Sequence, residues 1–326
     1  MPLGIYALGH FGVDFLCARL VLGRCAGGAG WMTAALLYNF CAFALQMPLG
    51  IVADRLGTCR KCSAIGAGLV CLGAIPLGNA WTVLLAGLGN ALYHVGGGRE
   101  TLLFSENYKG LGIFVAPGAL GILLGGLLRS SPWAMAAGLL LLGGCGMILA
   151  ILSKKETPSP REMERSSPKN LGALGLLFLV VLLRSLVGMC SASPWKAGIW
   201  VIIGAALSAL GKALGGFAAD RFGGRLAGSL SLLVAAGLFL LPESPVAGIL
   251  AGLLFQMSMP ITLRDGANRL PGGEGFVFGL MTFALFLGFL PAQMGFTLTE
   301  FQTAALSGAS GLLLIFGARR KSPCNM

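Results

Sequence analysis

Three side chains able to hold a proton sit inside stretches that are otherwise apolar. His10 and Asp14 lie four residues apart in GIYALGHFGVDFLCARLVLG, so on a helix they share one face. If that helix enters a bilayer at Leu3, Asp14 is ~16 Å deep, near the middle of a hydrocarbon core of about 30 Å. A carboxylate and an imidazole placed there form a protonatable pair. His94, next to Tyr93 in LGNALYHVGGG, can share the proton. Arg184 and Lys212 interrupt two further apolar runs and would favour an organic anion. The same histidines and aspartate, with Cys17 one turn on, also offer a donor set for a divalent transition metal. Ionisable groups in lipid are costly and face a partner or a wet cavity. Simple pairing of Asp14 with Arg19 or Arg184, and histidines bonded to backbone carbonyls, are the structural alternatives.

A second set of charges is duplicated. QMPLGIVADRLGTCRK (46–61) returns as KALGGFAADRFGGR (212–225), and a shift of 166 residues aligns Gly50, Asp54, Arg55 and Gly57 with Gly216, Asp220, Arg221 and Gly223. An aspartate ending its own helix faces the negative pole of that helix, so its donor must come from elsewhere. The exposed N–H groups that begin a neighbouring helix are the natural partner, with the adjacent arginine as a second. Arg99-Glu100 and Arg264-Asp265 echo each other at a shift of 165 and read either as part of the same charge relay or as anchors at the headgroups.

The elements that must carry these residues are membrane helices. The 326-residue chain is 56% hydrophobic and only 11% charged, with a mean hydropathy of +0.84. A soluble domain carries roughly 25% charged residues, so this one cannot cover itself with polar surface. Fifty-two glycines fit helices that pack through small residues. Twelve apolar segments are expected near 3–23, 31–53, 63–80, 81–103, 111–129, 133–152, 171–190, 197–219, 225–241, 245–265, 275–293 and 300–318. The first is read as a retained helix, since no basic region or small-residue cleavage site accompanies it. The fold class is therefore all-α and membrane-embedded, with twelve transmembrane helices in two pseudosymmetric six-helix bundles. Residues 1–152 form the first bundle, 153–170 a mobile cytoplasmic linker, and 171–326 the second.

The formal charge of +11 is a topology signal. With both termini cytoplasmic, the inner loops and tail hold fifteen basic residues, and the outer loops only Arg24, Arg129 and Lys196. That asymmetry is the positive-inside bias, and it removes nucleic acid as the partner. Nine scattered cysteines show neither a disulfide framework nor a complete zinc ligand set. Trp31, Trp81, Trp133 and Trp195 fall at outer helix ends as interfacial anchors.

The pattern G-x-x-x-D-R-x-G followed by a basic residue resembles the loop 2–3 motif of the major facilitator superfamily of transporters, and here it occurs twice. The resemblance implies a site between two six-helix repeats, lined by helices 1, 4, 7 and 10. Within that superfamily His10 and Asp14, the group Leu45, Gln46, Pro48 and Gly50, the group Gly87, Gly89, Tyr93 and His94, and the run from Ile113-Phe114 to Gly121 look like the fosmidomycin-resistance type of exporter. That type follows its helix 4 histidine with proline and an acid, where this chain has Val95-Gly96. Proton-driven drug export is what the resemblance implies.

The expectation is a secondary transporter working by alternating access, which exports a small anionic or amphiphilic organic compound against proton entry. His10, Asp14, Tyr93, His94, Arg184 and Lys212 would bind substrate and proton. Gly50, Asp54, Arg55, Gly57, Arg99, Glu100, Gly216, Asp220, Arg221, Gly223, Arg264 and Asp265 would gate. No cofactor, resident metal or enzymatic step is expected. The protein would be a monomer among membrane lipids, in a bacterial inner membrane. Alternatives are a proton symporter or facilitator for an organic anion, a divalent metal exporter, and, further off, a membrane sensor or lipid-modifying enzyme.

Overall fold

The structure, a computed structural model, describes residues 3–28, 30–76, 78–191 and 197–318. Trp195, Lys196 and the basic tail at 319–321 lie outside the described residues. Twelve helical rods account for most of the described chain. They are α1 (Leu3–Cys25), α2 (Trp31–Leu56), α3 (Cys59–Leu72), α4 (Asn79–Phe104), α5 (Tyr108–Leu127), α6 (Pro132–Ser153), α7 (Pro168–Cys190), α8 (Ile199–Phe222), α9 (Gly224–Phe239), α10 (Pro245–Ala267), α11 (Glu274–Gln293) and α12 (Glu300–Gly317). Eight of these helices are long and apolar enough to cross a membrane. In lipid a helix satisfies its own backbone, which is why apolar runs settle into rods.

Local sequence sets the rod ends. Ser131, Ser167 and Ser244 each accept a backbone N–H at a helix start, and each precedes a proline at the first helical position. Serine satisfies an orphan donor and proline has none to satisfy. Thr299 and Gln302 form a reciprocal capping box at the start of α12. α2 contains a π turn at Phe40–Ala44. α3 starts earlier than expected and ends at Leu72, because the chain re-enters a helix directly after the left-handed Gly57 (φ 67°).

The chain divides into two compact units. One comprises Met1–Phe104, Pro117–Met163 and Gly272–Phe283; the other comprises Ser105–Ala116, Glu164–Pro271 and Ala284–Met326. The division cuts α5 and α11, so each unit contains a stretch from the other half of the sequence. In the first unit Tyr6, Leu16, Tyr93, Leu142 and Leu149 are buried, and Arg99 is the largest fully buried side chain. In the second, Leu177, Leu232 and Ile261 fill the core. Outward-facing Trp133, Leu140 and Phe316 are more than 70% exposed, which suits lipid and not water.

The segment between α6 and α7 is extended and hydrogen-bonded along its length. Glu156 accepts from the Arg60 N–H at 3.1 Å, the Ser159 N–H donates to Gly57 O at 3.1 Å, and the Arg161 N–H donates to Asp54 O at 2.9 Å. In the second unit the Glu164 N–H donates to Pro271 O at 3.0 Å and Ser166 Oγ to Arg269 O at 2.6 Å. The expected free tether is instead a strap: its backbone completes the unpaired carbonyls at the C-terminus of α2. A side chain at Gly57 would collide with the Ser159–Pro160 backbone.

Candidate functional site

In the first unit, α1 and α4 bring three of the expected groups together. His10 Nε2 lies 3.3 Å from Asp14 Oδ2, one helical turn along α1. His94 of α4 places Nε2 at 2.9 Å from His10 Nε2 and 3.8 Å from Asp14 Oδ1. All three are at least 91% buried. His94 Nδ1 sits 2.8 Å from the Asn90 main-chain oxygen. A carbonyl only accepts, so Nδ1 carries the hydrogen, and in the neutral ring Nε2 presents its lone pair toward His10. With 2.9 Å between the two Nε2 atoms, one proton fits between the rings.

Residues not singled out in the sequence complete this cluster. Asn90 Nδ2 donates to Asp14 Oδ1 at 3.1 Å and lies 3.4 Å from the Tyr38 hydroxyl. Asn90 is one turn before His94, so a single face of α4 serves both. Gly118 of α5 backs onto the pair: a Cβ there would overlap Asp14 Oδ2 and His10 Nε2.

Two expectations change here. Tyr93 is fully buried, and its hydroxyl donates to backbone oxygens of α1, at 3.1 Å to Tyr6 and 3.4 Å to Ile5. It clamps α4 onto α1 instead of facing a substrate, because the register that turns His94 toward Asp14 turns its neighbour away. Arg19 does not pair with Asp14; its guanidinium donates to the carbonyls of Leu128 and Ser131. Cys17 Sγ lies 3.5 Å from Ala86 O, and among the described residues the metal-capable group is His10, Asp14 and His94 alone.

The second unit holds Arg184 and Lys212. Arg184 of α7 is 94% buried. Nη2 lies 3.3 Å from Gln256 Oε1, the guanidinium sits 5.3 Å from the Phe255 ring centroid, and Nε has no partner. No carboxylate stands within 4.0 Å of it among the described residues. A buried cation that faces an amide and a ring, with no counter-ion among the described residues, is costly to leave so and can take an anion. Lys212 of α8 is half-buried, with its backbone carbonyl against Gly112 of α5.

The duplicated motif acts through helix ends, differently in the two copies. Asp54 accepts from the first N–H groups of α11, Gly275 at 2.9 Å and Phe276 at 2.8 Å, while Arg99 Nε bonds it at 2.7 Å. Arg99 continues to Cys59 Sγ at 3.0 Å and Ser159 O at 2.9 Å. The partner arginine is thus Arg99 of α4; the adjacent Arg55 is exposed. Gly50 packs against the Gly275 backbone. Glu100 accepts from Tyr6 and, at 3.1 Å, from Arg60.

In the second copy Asp220 accepts from the first N–H groups of α5, Tyr108 at 2.8 Å and Lys109 at 3.1 Å. Gly216 lies against the same turn, and Gly223 turns the chain at φ 88°. Arg264 donates to Ser105 O, and Asp265 accepts from the Tyr108 hydroxyl at 2.6 Å. Arg221 is exposed and lies over the Phe222 ring. With Lys109, Phe217, Asp220 and Phe222 it lines a shallow cleft of about 560 Å³.

Neither the protein-family models nor the curated proteins include a match to this chain. Solved structures do match. The E. coli fucose:proton symporter FucP, in a single-residue variant, aligns with a TM-score of 0.66 at 14% identity over 98% of this chain and 99% of that one. FucP in the outward conformation, described as a major facilitator superfamily transporter, aligns at 0.63 and 15% identity over 97% of each. Full coverage at such identity means that the path of the chain is shared and the side chains are not. The protein is a multi-pass integral membrane protein with the fold of major facilitator superfamily transporters.

Proposed function

We propose that the chain is a secondary transporter that exports a small organic anion or anionic amphiphile in exchange for protons, by alternating access. The observation that carries this reading is the buried His10–Asp14–His94 cluster, in which the two ring nitrogens approach to 2.9 Å. A proton taken up there changes the charge of a buried group, and so the preference of the unit for one conformation over another. Arg184, with no carboxylate within 4.0 Å among the described residues, supplies the anion-binding cation, and Lys212 of the same unit is the second. Asp54 and Asp220, each tied to the first turn of a helix, serve as gates that must release when access alternates. Arg99, Glu100, Arg264 and Asp265 hold those gates closed.

The twelve rods are taken to be twelve membrane crossings in two six-helix bundles, with both termini cytoplasmic and the protein a monomer in a bacterial inner membrane. The fosmidomycin-resistance type is the nearest functional relation we propose, on the residues of α1, α2, α4 and α5. The test uses proteoliposomes with an imposed pH gradient. Asp14→Asn is expected to abolish gradient-driven accumulation of an organic anion while counterflow exchange continues; undiminished uphill transport by the variant would remove Asp14 from the coupling role. Because the fold neighbours carry the name of a proton symporter, symport is the second reading. A pH dye trapped in the vesicles separates the two by whether protons move with the substrate or against it.

A further inference from the structure

We infer that His10, Asp14 and His94 form a three-donor site for one divalent first-row transition ion of the zinc class. One ligand atom from each residue falls within 4.8 Å of the others. The three separations are 2.9, 3.3 and 3.8 Å. The last two run to different oxygens of the carboxylate, and the set lies around the ~3.3 Å that separates two donors of a tetrahedral ion with bonds of about 2 Å. Two imidazoles and a carboxylate suit zinc, cobalt or nickel better than magnesium or calcium.

Three further features fit an ion. The His94 Nδ1–H is bonded to the Asn90 carbonyl at 2.8 Å, the outer-shell arrangement that fixes the tautomer of a ligating histidine and aims Nε2 at the metal. The Asn90 side chain, 98% buried, spends its nitrogen on Asp14, while its Oδ1 has no partner. A water in the open fourth position of a three-ligand site would donate to that oxygen. Gly118 approaches with backbone only, where an added Cβ would overlap two of the donor atoms, Asp14 Oδ2 and His10 Nε2.

This inference rests on the cluster being a cation site, as the proposed function also requires; the measurements separate the two. Purified full-length protein in detergent, stripped with chelator, is titrated with Co²⁺ while its visible absorption is followed, and Zn²⁺ then competes. One ion per chain is expected. His10→Gln and His94→Gln should each weaken it by more than the roughly 10–100-fold that outer-shell changes cost, while Arg225→Gln binds as the wild type does. Pulsed electron paramagnetic resonance of the Cu²⁺-loaded wild type counts coordinated imidazoles without any variant, and two are expected. No saturable binding up to millimolar ion, binding indifferent to both histidine changes, or fewer than two imidazoles overturns the site. Gradient-driven transport of an organic anion, measured on the same preparation in chelator, reports on the proposed function alone. Transport without ion binding overturns the metal site and leaves the transporter; ion binding without transport supports the site and removes the transporter reading.

Discussion

The His10–Asp14–His94 cluster depends on a residue with no chemistry of its own. Gly118 lets the backbone of α5 reach the Asp14 carboxylate and the His10 ring, and a methyl group there must displace one or the other. Gly118→Ala is therefore expected to cost about 1–3 kcal/mol of stability, as overpacking does, and to reduce substrate-coupled proton uptake. Gly143→Ala and Gly144→Ala, whose added carbons meet open space, should leave both unchanged; equal effects from all three in a thermal-unfolding and transport comparison would refute the role. His10, Asp14 and His94 were legible in the sequence because a titratable group in an apolar run stands out. Asn90, Tyr38 and Gly118 were not. An amide, a phenol and one glycine among fifty-two carry no mark until the fold sets them beside the charge. Tyr93 misled for the opposite reason: adjacency in sequence on a helix puts neighbours about 100° apart, so the tyrosine beside a site histidine points elsewhere.

Among the elements, the ends matter most. Both motif aspartates reach the first turn of another helix, where unpaired N–H groups and the positive pole coincide. Among the described residues, the ion pair with a buried arginine is made by Asp54. Removing one partner of a buried ion pair costs about 3–5 kcal/mol, whereas loss of charge at a helix start costs about 0.3–2 kcal/mol. Asp54→Asn is thus expected to lower the midpoint of thermal unfolding more than Asp220→Asn. The reverse order, or equality, would show that Arg99 stabilises through Ser159 and Cys59 instead. The motif spacing foretold these helix-end contacts, since an aspartate at the C-terminus of its own helix cannot be satisfied there. The sequence points to the adjacent Arg55 as the second partner, and the structure gives that place to Arg99, because Arg55 faces outward and only burial decides between them. The strap after α6 was read as loose from its prolines and mixed charges; its backbone bonds, which composition does not encode, tie it down.

At the scale of the whole molecule, composition alone separated this chain from soluble proteins, and its apolar exteriors agree. The basic residues set a directional expectation. A reporter active only in the cytoplasm should work when fused within 154–167, and one active only outside should work after Arg129. The opposite pattern would invert the topology argued from the positive-inside bias. Pairwise duplication of motifs made two repeats visible, but not the way the compact units divide, because long-range packing leaves no periodic trace.

That division has a consequence for the chain as a heritable object. The stretch Gly272–Phe283 completes the first unit, and Ser105–Ala116 completes the second. Neither half of the coding sequence therefore specifies a self-sufficient body. During synthesis the first body has to wait for residues that emerge more than a hundred positions after its own last helix. A gene cut at the strap would yield two fragments, each missing a piece that only the other carries.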